Sequence, residues 1–191
     1  SQIPSAPATV TELKVSSTGE KSVKLSWKKV TGADSYAIYR YDSTSKKWQR
    51  IKTVKAVSFT DSGLARAKGY SYKVKAVKKS GGKEYISASY SKSVEAVTKP
   101  AKASCTAKSA GSGSIEVSWK AVGGASGYEI YSSSNGSDYV KSAKVGGSQK
   151  SAIISGFEPY SLRMVKVRAY KTVNGKTSYG AFSQAVMVIV R

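Results

Sequence analysis

Apolar and polar residues alternate with a period of two along most of the chain. Val23, Leu25 and Trp27 are interleaved with Lys24, Ser26 and Lys28, and Tyr36 and Ile38 with Ala37 and Tyr39. Tyr70, Tyr72, Val74 and Ala76 are interleaved in the same way with Ser71, Lys73 and Lys75. Successive strand side chains point to opposite faces, so each segment acquires one dry and one wet face, as in an antiparallel sheet. Turn-forming groups punctuate these segments: Ser17-Thr18-Gly19-Glu20, Thr31-Gly32-Ala33-Asp34, Ser43-Thr44-Ser45 and Ser80-Gly81-Gly82. No stripe at helical spacing is present.

The pattern is written twice. Trp27 and Trp119 lie 92 positions apart, within Ser22-Val23-Lys24-Leu25-Ser26-Trp27-Lys28 and Ser114-Ile115-Glu116-Val117-Ser118-Trp119-Lys120. The same offset aligns Gly32-Ala33-Asp34-Ser35-Tyr36-Ala37-Ile38-Tyr39 with Gly124-Ala125-Ser126-Gly127-Tyr128-Glu129-Ile130-Tyr131, and Tyr90-Ser91 with Phe182-Ser183. One further residue brings Lys73-Val74-Lys75 onto Lys166-Val167-Arg168. A duplicated unit of this size, with about seven short strands per copy, predicts an all-β protein of two tandem immunoglobulin-like sandwiches, each of two packed antiparallel sheets. The expected boundaries are a linker over residues 1–6, a first domain over 7–99 and a second over 100–191. The Pro, Ala and Ser of the first eight residues lead us to expect a stretch taken from within a longer chain.

At this point the sequence resembles the fibronectin type III family. The first copy has the early Leu13-Lys14-Val15 strand, Trp27 on the second strand, then Tyr36-Ala37-Ile38-Tyr39-Arg40. It has Gly63-Leu64 with Tyr70 six residues after the leucine, the spacing of the family's tyrosine corner, and an ending from Tyr90-Ser91 through Val94, Ala96 and Thr98 that matches the last strand. The second copy departs from this. Gly156-Phe157 is followed after six residues by Arg163, leaving Tyr160 as the candidate to replace the corner tyrosine. Cys105 takes the place of Leu13, which suits a small core residue; a reactive or anchoring thiol is the alternative. The Lys- and Tyr-rich turns before the last strand resemble modules of Gram-positive bacterial surface and secreted proteins, where such domains act as spacers, adhesion segments or accessories to carbohydrate-active enzymes.

Charge sharpens the picture. The 191 residues carry 32 Lys and Arg against 11 Asp and Glu, a net charge of +21. Residues 1–100 hold 20 basic and 7 acidic groups, and the remainder 12 and 4. Such a surface attracts polyanions, or else keeps sheet edges soluble and unpaired. No apolar run approaches the ~20 residues that span a bilayer.

The inventory for catalysis is thin. There is no histidine and one cysteine, so Ser-His and Cys-His arrangements are out and zinc loses its usual ligands. Asp34, Asp42 and Asp61 stand in or beside turns, where aspartate caps its own backbone. Gly111-Ser112-Gly113 lies between strands, not before a helix, and is no phosphate loop. We expect no enzyme activity, cofactor or metal. The family's integrin-binding Arg-Gly-Asp tripeptide and the Trp-Ser-x-Trp-Ser box are both absent.

One candidate ligand surface follows from the alternation. With Tyr36, Ile38 and Val74 inward, Tyr39, Tyr41, Lys73 and Lys75 face outward with Trp48 beside them, on strands that the family topology makes neighbours. Rings can stack on sugars or bases and lysines can neutralise phosphates or carboxylates. The competing reading is ordinary cross-strand pairing, with lysine stems covering the rings. In the second copy Tyr131, Lys166 and Arg168 recur, but Ser133 replaces Tyr41 and predicts a weaker face.

The functional expectation is a non-catalytic structural or adhesion spacer of a larger secreted or surface-anchored bacterial protein, located outside the cell. The alternatives are a carbohydrate or anionic wall-polymer binding module, and accessory domains flanking a carbohydrate-active enzyme. The expected partners are other domains of the parent chain and such a polymer. Specific nucleic-acid binding is not expected, since no recognition helix or RNA-binding sheet motif is present. Lysine-rich edges favour a monomer.

Overall fold

The structure is a computed structural model and describes residues 4–191. Of the linker expected over residues 1–6, residues 1–3 lie outside the described part. The described residues contain sixteen strands and no helix, and the chain divides into two compact units, with β1–β8 in the first and β9–β16 in the second.

In the first module β1 (Lys14–Thr18), β2 (Ser22–Ser26) and β5 (Ser58–Ser62) form one sheet in the order β1-β2-β5. The second sheet runs β4 (Lys47–Val54), β3 (Ser35–Asp42), β6 (Gly69–Ser80) and β7 (Lys83–Ile86), with β8 (Val94–Val97) also on β6. All pairings are antiparallel. The second module repeats the plan. Its sheets are β9 (Thr106–Gly111), β10 (Ser114–Ser118) and β13 (Ser151–Ile154), and β12 (Val140–Gly146), β11 (Gly127–Ser133), β14 (Leu162–Val173), β15 (Lys176–Tyr179) and β16 (Val186–Ile189).

The alternation read from the sequence sets the core. Val23, Leu25, Trp27, Tyr36, Ile38, Tyr72, Val74 and Ala76 are buried together in the first module. Ile115, Val117, Trp119, Tyr128, Ile130, Val165, Val167 and Ala169 are their counterparts in the second. Each large aliphatic side chain so buried contributes about 1.5–3 kcal/mol. Both modules also share a polar lock. The Tyr36 hydroxyl accepts the Val30 N–H at 2.9 Å, and the Tyr128 hydroxyl accepts the Val122 N–H at 2.8 Å. Each bond ties the loop before the strand to the core.

Each module has eight strands where about seven were expected, because the last strand is interrupted. Between β7 and β8 the ladder is carried by serines. Ser87 and Ser91 donate their N–H groups to Ala76 and Val74 (both 2.9 Å), and their hydroxyls accept the Ala76 and Val74 N–H groups in return (3.2 and 2.9 Å). Ser183 does the same on Val167 in the second module. The buried serines therefore hold an irregular segment against β6 and β14 without orphaning backbone groups. The interruption brings Tyr90 and Phe182 over the outer face of the larger sheet.

An aromatic and basic face on each module

The outer face of β3, β4 and β6 holds all five residues singled out from the sequence. Tyr41 and Trp48 are cross-strand partners and meet edge to face, with centroids 5.4 Å apart. Tyr39 meets Tyr90 edge to face at 5.0 Å. The Lys73 ammonium lies 4.5 Å from the Trp48 centroid and 5.3 Å from that of Tyr90. Lys75 lies 4.3 Å from the same Tyr90 ring and donates to the Ala88 carbonyl at 3.3 Å. The arrangement is a ladder of rings and cations joined by cation–π contacts. The contacts with the rings are made by the lysine ammonium groups. Burial, with the neighbouring Tyr90, pushes the Tyr39 hydroxyl pKa up.

At one end of the ladder charge is neutralised. Arg50 donates to both Glu84 oxygens (2.9 and 3.3 Å) and to Thr53, and the hydrogen bond from Arg50 holds the Glu84 carboxyl below its usual range. Lys73 and Lys75 form no ion pair among the described residues. Tyr90 was read from the sequence only as part of the last strand and not as a member of this face. Its position 92 residues before Phe182, in a stretch without alternation, was the available signal.

The second module places a different set on the equivalent face. Tyr131 meets Phe182 edge to face at 5.0 Å, and Lys166 lies 3.8 Å from the Tyr139 centroid and 4.3 Å from that of Phe182. Tyr139 thus supplies a ring where the loss at Ser133 predicted a weaker face. Beneath lies Glu129, whose side chain is 1% exposed. Arg168 donates to it from Nε and Nη2 (2.9 and 2.7 Å), Lys141 at 3.1 Å and the Tyr131 hydroxyl at 3.3 Å. Burial raises the Glu129 pKa, the hydrogen bonds from Arg168 and Lys141 lower it, and the net shift is downward.

Several sequence readings change. Asp61 does not cap a turn. It is a buried residue of β5, accepting from Arg40 Nη1 at 2.7 Å and the Tyr72 hydroxyl at 2.8 Å, which links the two sheets of the first module. Asp34 accepts the N–H of Lys79, 45 residues away, at 2.7 Å. Asp42 does cap its own turn through Thr44 N–H and Ser45 Oγ, and these bonds, Ser45 first, depress its pKa. Tyr160 is 85% exposed and does not take over the corner; Arg163 stacks on Phe157 instead, 5.1 Å from its centroid. Cys105 packs against the second core, and burial pushes its thiol pKa up, away from the reactive thiolate.

Among the described residues no three acids or cysteines gather in a metal-binding group, and no helix is long and apolar enough to cross a membrane. The architecture defines a tandem of antiparallel β-sandwiches. Comparison with solved structures shows that the fold is fibronectin type III: the two-domain fibronectin type III segment of chicken tenascin superposes with a TM-score of 0.55 at 17% identity, over 94% of this chain and 98% of that one.

No family model matches the chain. Three curated bacterial proteins are similar in sequence. The poly(3-hydroxybutyrate) depolymerase of Ralstonia pickettii is 40% identical over 109 residues, which is 57% of this chain and 20% of that protein. Chitinase C of Streptomyces lividans is 40% identical over 73 residues, 38% of this chain and 11% of that enzyme. Chitinase 63 of Streptomyces plicatus is 38% identical over 78 residues, 39% of this chain and 11% of the enzyme. The chain therefore spans a fifth or less of the length of these relatives.

Proposed function

We propose that the chain is a pair of non-catalytic accessory modules of a secreted bacterial enzyme that degrades a polymer. The observation that carries this reading is 40% identity over 109 residues to a depolymerase, confined to 20% of that protein, with two chitinases matching over still smaller shares. The chemistry agrees: there is no histidine to serve as base, and the buried acids Asp61 and Glu129 are each held by arginine. The role is mechanical. Sandwiches with closely packed cores resist compression and hold neighbouring domains of an extracellular parent chain apart.

The test is a segment exchange. The part of Streptomyces lividans chitinase C that matches this chain is deleted, or replaced by these 191 residues. The deletion is expected to slow hydrolysis of insoluble chitin while sparing a soluble oligosaccharide, and the replacement to recover the loss. A replacement no better than the deletion, or hydrolysis by the 191-residue chain alone, would sink the reading.

A further inference from the structure

We infer that the outer face of β3, β4 and β6 in the first module is a binding site for a flexible linear polymer that carries one anionic group, a carboxylate or a phosphodiester, in each repeat. The inference is independent of the accessory role proposed above.

The argument begins with what the rings offer. Lys73 and Lys75 both stand over Tyr90, and Lys73 also over Trp48. Ring faces already carrying ammonium groups are closed to a neutral sugar, which must stack flat on them. The ammonium groups themselves keep free N–H donors. Lys75 donates one to Ala88, and a lysine has three. Two like charges held within 5.3 Å of one ring centroid repel each other, and an anion placed between them relieves that repulsion.

The second observation is the absent counter-charge. Ala37 is fully buried beneath the ladder, directly across the register from Lys75. The same register position in the second module holds Glu129 across from Arg168, and there the carboxylate neutralises the cations from within. Two acids share this face by register, and neither pairs with Lys73 or Lys75. Glu84 is bound by Arg50, and Glu95 lies opposite Ser71 and makes no ion pair with either lysine. The first face thus has the cations and the rings that position them, and neither of the acids that share it by register, Glu84 and Glu95, forms an ion pair with Lys73 or Lys75.

A third observation gives the site length. Beside Tyr90 an open groove of about 450 Å³ is lined by Val10, Thr11, Leu13 and Lys92. Its one acid, Glu12, is paired with Lys28 at 3.1 Å. Tyr90, which carries Lys73 and Lys75 on its ring, also lines this groove, and the groove adds one further cation, Lys92.

The experiment titrates the whole chain with poly(glycerol phosphate) and with polygalacturonate at about 0.15 M salt, where exposed charges beyond ~8 Å are screened. Three variants are compared with the parent. Lys73→Gln/Lys75→Gln removes the proposed cations. Lys14→Gln/Lys24→Gln removes two exposed lysines from the other sheet and serves as the charge control. Ala37→Glu installs the carboxylate of the second module. We expect about a tenfold loss for the first pair, less than about twofold for the control, and a loss for Ala37→Glu comparable to the first. The polymer that binds identifies the anion. No binding of either polymer, equal losses in the two lysine pairs, or duplex DNA binding as tightly as the better polymer would each overturn the site. If Ala37→Glu fails to fold, the two lysine pairs, whose side chains lie at the surface, decide alone.

Discussion

Ala37 and Glu129 occupy equivalent places in the two modules, and the outer faces above them differ accordingly. Around Glu129 the charges close on themselves through Arg168, Lys141 and Tyr131. Around Ala37 the lysines rest on rings instead. The interiors differ in the opposite sense. Asp61, Arg40 and Tyr72 join the sheets of the first module, whereas the register partners in the second are Ile154, Ser132 and Val165. Each module therefore contains one buried carboxylate, between the sheets in the first and under the outer face in the second. The apolar skeleton dictates the sandwich, and the same skeleton tolerates a buried acid at either place provided cations and hydroxyls meet it.

The largest expected effect lies at Glu129. Glu129→Ala leaves Arg168 and Lys141 without their acceptor and is expected to cost the second module about 3 kcal/mol, the lower part of the range for breaking a buried pair because Lys141 is half exposed. Calorimetry of the intact chain should show one unfolding transition moving and the other staying. The pH dependence sharpens the point. Glu129 has a folded pKa below its unfolded value of about 4.3. Its contribution is therefore complete above that unfolded value and is lost as pH falls through the folded one. The stability gap between the parent and Glu129→Gln should be constant at neutral pH and narrow below about pH 4. A gap unchanged down to pH 3 would show that the carboxylate is not paired as described.

In the first module Asp61→Ala is expected to cost about 2 kcal/mol, since it strands the fully buried Tyr72 hydroxyl while Arg40 retains some access to water. Burial, followed by the bond to Asp61, pushes the Tyr72 hydroxyl pKa upward, so it stays a donor throughout the working range. Grafting the change onto the other copy gives the contrast. Ile154→Asp places an acid where Ser132 and Val165 offer no cation, and should destabilise the second module by more than Asp61→Ala harms the first. Denaturant midpoints of the two single variants check the order.

These contrasts mark what alternation can and cannot reveal. Tyr72 and Val74 were legible as inward because Ser71, Lys73 and Lys75 flank them, and Tyr36 and Ile38 because they keep the same period of two with Ser35, Ala37 and Tyr39. Tyr39, Tyr41, Lys73 and Lys75 followed as outward by the same parity. Tyr90 was not legible as part of the face, because it lies where serines replace the ladder and the period of two is lost. Asp61 was misread because Ser62 and Gly63 after it suggest a turn, and its partners Arg40 and Tyr72 are distant in sequence. Glu129 was named in the sequence only through its alignment with Ala37, whose parity puts it on the outward side of the strand. Its burial depends on Arg168 and Lys141 folding over it from the two flanking strands, which parity does not register.

The smallest effect concerns what the modules share. Tyr36→Phe and Tyr128→Phe each delete a hydroxyl that accepts a loop N–H six residues earlier, of Val30 and Val122. Each should cost about 1 kcal/mol, the value of one hydrogen bond lost with its donor left behind. The prediction is equality: both bonds have similar length, 2.9 and 2.8 Å, and both rings pack against the module's core tryptophan. The site in the second module is somewhat more open to water, so any departure should make Tyr128→Phe the milder. A larger loss for Tyr128→Phe, read from the two calorimetric transitions, would mean that the loops before β3 and β11 depend on their locks unequally, and that the modules diverge in their loops as well as in where they bury charge.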